Sequence, residues 1–175
     1  MSAAEIASRV RELGAEIAGD YDGREPLLVG SLKASLVFLA DLSRAMPILH
    51  HVDFIELAGY GSVQMGGHEQ IRMLKDLDGD VRDRDLLLVE DVIDTGLTLH
   101  YLVRTLGLRK PRSIAAVTLL DRPYRRLVDD LPVRYVGFVV PDELFVGYGF
   151  DLDERWRELP DLRLLRLGAS SAAQS

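Results

Sequence analysis

Cysteine is absent from the 175 residues, which excludes disulfides, thiolate nucleophiles and zinc–thiolate sites. No apolar run approaches the length of a membrane span. The first residues also lack the basic-then-apolar profile of a signal peptide, so a cytoplasmic location without membrane contact is expected. Positive charge is in deficit: 21 Lys and Arg stand against 28 Asp and Glu, a formal net charge of -7. With no basic run, general nucleic-acid binding is not expected. A polyphosphate ligand would have to be held by local amides, a few cations and metal rather than by the overall field. A Gly-x-x-x-x-Gly-Lys-Ser/Thr loop is missing, as are internal repeats and low-complexity linkers.

What remains is an ordinary globular composition, 47% hydrophobic and 28% charged, of a size that suits one domain with a single core. Residues 1–167 are expected to form that domain, with a lid near 59–70, and residues 168–175 a frayed, disordered tail. The stretch from Leu86 to Leu99 organises the chain. It begins as a short apolar run, as a strand buried on both faces of a parallel sheet does. It then turns polar at Glu90, Asp91, Asp94, Thr95, Gly96 and Thr98. Apolar periodicity resumes through Leu99, Leu102, Val103 and Leu106, which predicts a helix. A strand, an acidic glycine-containing loop and a helix start form an anion-binding geometry at the carboxyl edge of an α/β sheet.

Along the chain, Ile6, Val10, Leu13 and Ile17 share one face of an amphipathic helix over residues 3–19. A strand is expected over 26–30, a polar connection at Ser31–Lys33, a helix over 34–45 and a strand over 52–58. Gly59–Gly67 carries four glycines without periodicity and reads either as a mobile lid or as a long hairpin loop. A charged loop covers 75–85. A strand follows over 113–120, then a loop or short helix over 121–130 and a strand over 133–140. A glycine- and aromatic-bearing loop over 141–151 precedes a short helix holding Trp156 and Arg157, and a last strand is expected over 162–167. Strands alternating with helices predict an α/β fold with a mostly parallel twisted sheet.

The chemistry of the central loop is partly legible from residue types. Ionised Glu90 and Asp91 accept hydrogen bonds only, so they suit the hydroxyls of a sugar and not a phosphate. The hydroxyls of Thr95 and Thr98 and the helix-start amides suit a phosphate monoester. A carboxylate pair beside an amide nest implies a phosphorylated sugar. Asp94 also has the position of a helix N-cap, and Lys33 alone reads as a solvated charge at a helix start.

Val89-Glu90-Asp91-Val92-Ile93-Asp94-Thr95-Gly96-Leu97-Thr98-Leu99 resembles the phosphoribosyl diphosphate (PRPP) signature of type I phosphoribosyltransferases, in the form of the hypoxanthine–guanine branch. Leu28-Val29-Gly30-Ser31-Leu32-Lys33 resembles the family's pyrophosphate loop. Leu74-Lys75-Asp76-Leu77, Thr118-Leu119-Leu120-Asp121, Tyr135-Val136-Gly137-Phe138 and Val146-Gly147-Tyr148-Gly149 match in order, so the resemblance spans roughly residues 26–160. It implies the type I fold, with a small hood over the carboxyl edge of the sheet. It also implies transfer of the 5-phosphoribosyl group from PRPP to hypoxanthine or guanine in purine salvage, with release of pyrophosphate and with magnesium as cofactor.

By the same resemblance Glu90 and Asp91 hold the ribose, directly or through magnesium, and Asp94 is the general base toward the purine. Asp94, Thr95, Gly96, Leu97 and Thr98 bind the 5′-phosphate. Lys33, which follows an unusual cis peptide in the family, and Arg157 bind pyrophosphate. Asp151 joins Glu90 and Asp91 as a metal ligand, and Tyr60 belongs to a lid that excludes water. Homodimers or homotetramers are implied. The base pocket departs from the pattern. Arg122 stands where the family has lysine, and Leu144 where it has a stacking aromatic, with Phe145 one position later. Gly59 replaces the serine of the lid pair, and Ala34 replaces a glycine beside Lys33. An altered acceptor base, or a non-catalytic PRPP-binding regulator, are the alternatives these departures raise. His50 and His51 read as a surface turn rather than a metal site. Arg125 and Arg126 read as solvated or interfacial, and Trp156 as a packing residue.

Overall fold

A computed structural model of the protein describes residues 1–60 and 70–166. The expected lid, apart from the ends of its flanking strands, and the expected tail lie outside the described residues. Helix α1, Ala3–Asp20, starts with a capping box. The Glu5 amide donates to Ser2 Oγ at 3.3 Å, and Glu5 Oε2 accepts from the Ser2 amide at 2.7 Å. This satisfies amides that a helix start leaves without partners. Its apolar face buries Ile6, Val10, Leu13 and Ile17, as the periodicity requires.

Strand β1, Leu27–Leu32, leads into helix α2, Ser35–Ala45, then β2, His51–Tyr60, and β3, Gln70–Lys75. Strand β4, Asp85–Ile93, leads into α3, Leu97–Gly107, followed by β5, Ser113–Asp121, a 3-10 turn at Pro123–Arg125, and β6, Val133–Val139. The sheet order is β3-β2-β1-β4-β5-β6, parallel throughout except for the antiparallel β2–β3 pair. From β1 the chain winds to one side through β2 and β3, and from β4 to the other through β5 and β6. The reversal falls between β1 and β4, where open α/β sheets form a crevice at the carboxyl ends of their strands. Alternation along β4 sends Leu87 and Val89 into a core with α1 and α2, and Leu86 and Leu88 into a second core with α3.

Beyond β6, β7 (Phe145–Val146) and β8 (Arg163–Leu164) pair antiparallel. With the loop between them they form the hood, tied to the chain start by reciprocal Met1–Leu162 backbone bonds of 3.0 Å. Gly149, at φ +95°, sits on α2's entry turn: a Cβ there would lie 2.3 Å from the Ala34 carbonyl oxygen. Tyr148 donates to Asp41 Oδ2 on α2 at 2.7 Å.

Three expectations need correction. Strand β4 does not stop at Val89; it runs through Glu90 and Asp91 to Ile93, because its ladder with β5 continues to the Ile93–Asp121 pair. Backbone pairing sets its length, not side-chain polarity. No helix holds Trp156 and Arg157, since Asp153, Glu154 and Trp156 have φ of 52°, 62° and 73°, outside the helical region. The last strand is only Arg163–Leu164, and β7 forms inside the segment expected to be a loop.

Helices α1 and α2 approach closely at Gly14, where a Cβ would lie 2.6 Å from the Ala45 carbonyl oxygen. Gly14→Val should therefore lower the unfolding free energy by about 1–3 kcal/mol through overpacking. Gly19→Ala, in the same helix with nothing within 4 Å of its added Cβ, should leave stability unchanged or raise it by about 0.5 kcal/mol. Urea denaturation of both variants checks the contrast, and equal effects at the two positions would contradict the close approach.

Candidate functional site

The crevice at the β1–β4 reversal is a cleft of about 330 Å³. One wall is the end of β1 and its turn, Ser31 to Ala34, which carries the cis peptide between Leu32 and Lys33. The floor is β4 from Glu90 to Ile93, continuing through Asp94, Thr95 and Gly96 into α3. The hood contributes Asp151 and Arg157. The structure thus brings to one cleft the sequence-expected Lys33, Glu90, Asp91, Asp94, Thr95, Gly96, Thr98, Asp151 and Arg157.

At the start of α3, Gly96 is the N-cap at φ +83° and has no side chain with which to cap the helix. Asp94 is therefore not a cap. Thr95 Oγ1 lies 3.4 Å from the Leu97 amide, a long contact, so the helix start with its positive dipole end faces the cleft. A side chain at position 96 would need the left-handed region and would meet Leu131 Cδ1 at 2.6 Å.

Glu90 is buried, and among the described residues its Oε1 has no hydrogen-bond partner. Burial pushes its carboxyl up to about 8, with the Asp91 charge adding to the effect. Asp91, also on the floor, is pushed up to about 6, again mainly by burial, against which its own and the Val92 backbone hydrogen bonds and Arg157 act. Asp151 is already engaged: Oδ1 meets Arg157 Nη2 at 2.8 Å, and Oδ2 accepts from the Glu154 amide at 2.9 Å. Among the described residues, no three His, Cys, Asp or Glu side chains gather into a metal-holding group. Glu90, Asp91 and Asp151 share the cleft without forming one ligand cluster. Lys33 Nζ turns to Glu154 Oε2 at 3.1 Å. Arg157 donates to the Gly149 carbonyl at 2.8 Å, and its buried Nε has no partner.

Asp94 is set among arginines. Arg125 Nε lies 3.0 Å from Oδ1, yet Oδ1 accepts no hydrogen bond; Arg122 Nη1 lies 3.7 Å from Oδ2. Arg126 Nη1 donates to the Asp94 carbonyl at 2.8 Å, while its Nη2 pairs with Asp121. Arg125 is braced by Asp142 at 2.7 Å. Arg126 is not solvated as expected: it is half-buried against the Asp94 carbonyl and Asp121, whereas Arg125 is exposed, as expected, while it pairs with Asp94 and Asp142. Sequence showed the arginine cluster and a loop or short helix over 121–130, but not which arginine turns inward.

Of the expected base-binding residues Arg122 lies beside Asp94, and none of the three is in the cleft lining. Arg122 donates to the Glu143 carbonyl, lies 5.8 Å from the Phe145 ring centroid and has a buried Nε without a partner. Phe145 packs against the core from β7, and Leu144 is exposed. Tyr60 ends β2, and its side chain lies outside the described residues. No helix among the described residues is long and apolar enough to cross a membrane.

Residues 2–151 match the phosphoribosyl transferase domain model. The chain is 50% identical over 159 residues to the hypoxanthine phosphoribosyltransferase of Salmonella typhimurium, covering 90% of this chain and 88% of that protein. It is 44% identical over 166 residues to the hypoxanthine-guanine phosphoribosyltransferase of Bacillus subtilis, covering 95% and 91%. Among solved structures, a hypoxanthine-guanine phosphoribosyltransferase of Bacillus anthracis superposes with a TM-score of 0.89 at 40% identity, covering 95% of this chain and 96% of that one.

The raised Glu90 carboxyl has a consequence for stability. Between pH 4.5, its ordinary value, and about 8, the folded ligand-free protein holds a proton that the unfolded chain has released. Stability contributed by Glu90 must therefore fall as pH rises through that window. Glu90→Gln should remove this component, so that thermal denaturation shows the variant gaining on the parent protein from the acid to the alkaline end. A parallel pH dependence in the two proteins would refute it.

Proposed function

The chain belongs to the phosphoribosyl transferase domain family, and we propose that its cleft is where a 6-oxopurine displaces pyrophosphate from PRPP. The protein is an enzyme of purine salvage that transfers the 5-phosphoribosyl group to hypoxanthine or guanine, giving the nucleoside monophosphate and pyrophosphate. The observation that carries this reading is the gathering of Lys33, Glu90, Asp91, Asp94, Thr95 and Arg157 in one cleft at the start of α3, where the sheet reverses its winding.

The reaction breaks the bond from the anomeric carbon to pyrophosphate and forms one to a purine ring nitrogen, while the opposite imidazole nitrogen loses its proton. Asp94 takes that proton, which raises electron density at the attacking nitrogen. The amides and hydroxyls of Thr95 to Thr98 hold the 5′-phosphate at the helix start. Glu90 and Asp91 accept from the ribose hydroxyls. Arg157, with its unpartnered Nε, and Lys33 hold the pyrophosphate. Lys33 must exchange Glu154 for the ligand. Arg122 donates toward the purine 6-oxo group, with Phe145 beneath it and Leu144 at the rim.

Magnesium fits the floor of this cleft. Glu90 Oε1 is buried without a partner, and Asp91 beside it resists ionisation; a divalent cation would favour the charged form of both. Glu90 and Asp91 would hold it, and Asp151 would join them only by releasing Arg157. When bound, the ion supplies positive charge against the donor's diphosphate. Homodimeric or homotetrameric assembly and a cytoplasmic location are carried by the family resemblance rather than by this chain's geometry.

Purified protein should release pyrophosphate from PRPP when given hypoxanthine or guanine. Asp94→Asn should lower turnover by roughly 10²–10⁴-fold, the usual contribution of a general base, while sparing PRPP affinity. Full turnover in the variant would remove Asp94 from the proton-transfer role. Because Arg122 stands beside Asp94 and against Phe145, a panel of hypoxanthine, guanine and xanthine decides the acceptor. Preference for a base other than the first two would favour an altered acceptor, and tight PRPP binding without transfer to any base a regulatory role.

A further inference from the structure

The phosphate turn is held from behind by one segment, the chain just after β5. The Arg122 amide donates to the Ile93 carbonyl at 3.1 Å, and the Leu127 amide to the Thr95 carbonyl at 2.9 Å. Between them, Arg126 Nη1 donates to the Asp94 carbonyl at 2.8 Å. Three successive carbonyls of the turn, those of Ile93, Asp94 and Thr95, are thus engaged by this one segment. The Leu131 side chain fills the space over Gly96, and Arg126 Cδ lies 3.4 Å from where a Cβ on Gly96 would sit. Arg126 is fixed in turn by buried Asp121 at the end of β5.

Peptide planarity converts this into a statement about donors. In a trans peptide the C=O and the following N–H point in opposite directions. Leu32–Lys33 is the one cis bond among the described residues, so the turn is trans. Holding the Asp94 carbonyl toward Arg126 aims the Thr95 N–H the other way, and holding the Thr95 carbonyl toward Leu127 does the same for Gly96. Both residues line the cleft. Successive N–H groups converging on one concavity form an anion nest.

We propose that Arg126 is a positioning residue for the 5′-phosphate: by gripping the Asp94 carbonyl it fixes the peptide plane that presents the Thr95 amide to the ligand. It touches no reacting atom and acts through the turn. Its guanidinium, bridging the Asp94 carbonyl and Asp121, gives the nest its rigidity before any ligand arrives, and an ordered nest binds without having to be ordered by its ligand. The inference rests on the reading of Thr95–Thr98 as the phosphate site.

The test compares two ligands that meet opposite ends of the cleft, inosine 5′-monophosphate at the turn and pyrophosphate at Lys33 and Arg157. Binding of each is measured by titration calorimetry on the parent protein, Arg126→Met and Arg126→Lys, with thermal denaturation alongside. Arg126→Met should weaken the nucleotide about tenfold, the scale of losing hydrogen bonds from a charged group. Arg126→Lys, which keeps a single donor group, should fall between. Pyrophosphate affinity should stay within about twofold in both, because its contacts lie on the other wall. Unchanged nucleotide affinity in Arg126→Met, or equal weakening of both ligands, overturns the proposal. If Arg126→Met does not fold, the Lys variant decides by the same criterion. Failure of the parent protein to bind the nucleotide at all would instead refute the functional reading.

Discussion

Glu90 has a carboxyl oxygen buried in the carboxyl half of the central strand with nothing among the described residues to bond to. Such a group is costly in a folded protein unless a ligand completes it. The strand that carries it is largely buried and sits between two apolar cores, so the cost is spread over a scaffold able to bear it. The same strand ends where the sheet reverses winding, which opens a crevice at that point rather than elsewhere. The polar turn, the helix start and the hood's Asp151 and Arg157 are then placed by short connections from elements whose own packing is apolar and unexceptional.

Much of this was readable in residue order. The apolar run at Leu86–Val89, the polar break and the returning periodicity located β4, the turn and α3, because burial on two faces and on one stripe leave different patterns. The PRPP-like signature identified the residues that line the cleft. What escaped was set by backbone geometry. Strand β4 continues through Glu90 and Asp91 because β5 pairs with it, whatever their polarity. The hood loop is not helical around Trp156 because three residues nearby adopt positive φ, a choice imposed by the fold. Arg126 looked like surface charge as Arg125 is, since only the fold brings it against the Asp94 carbonyl and Asp121.

The two ends of the candidate site differ in how much side-chain identity matters. At the proposed phosphate end, main-chain atoms of the turn face the cleft, so the sequence requirement is mainly glycine at 96 and whatever holds the carbonyls back. At the base end, individual side chains act: Arg122 over Phe145, with Leu144 outward. A guanidinium spreads its charge over a planar fork, where a lysine would offer a point charge. Departures from the family pattern concentrate at this end, where replacing a side chain alters contacts without disturbing the ladder beneath.

Gly149 seated on the Ala34 carbonyl, together with the Tyr148–Asp41 and Lys33–Glu154 pairs, joins the hood to the wall it overhangs. These contacts make roof and side wall one piece. Thermal fluctuation of the hood must then carry the start of α2 with it, while the exposed Lys33–Glu154 pair at the edge can open without parting roof from wall.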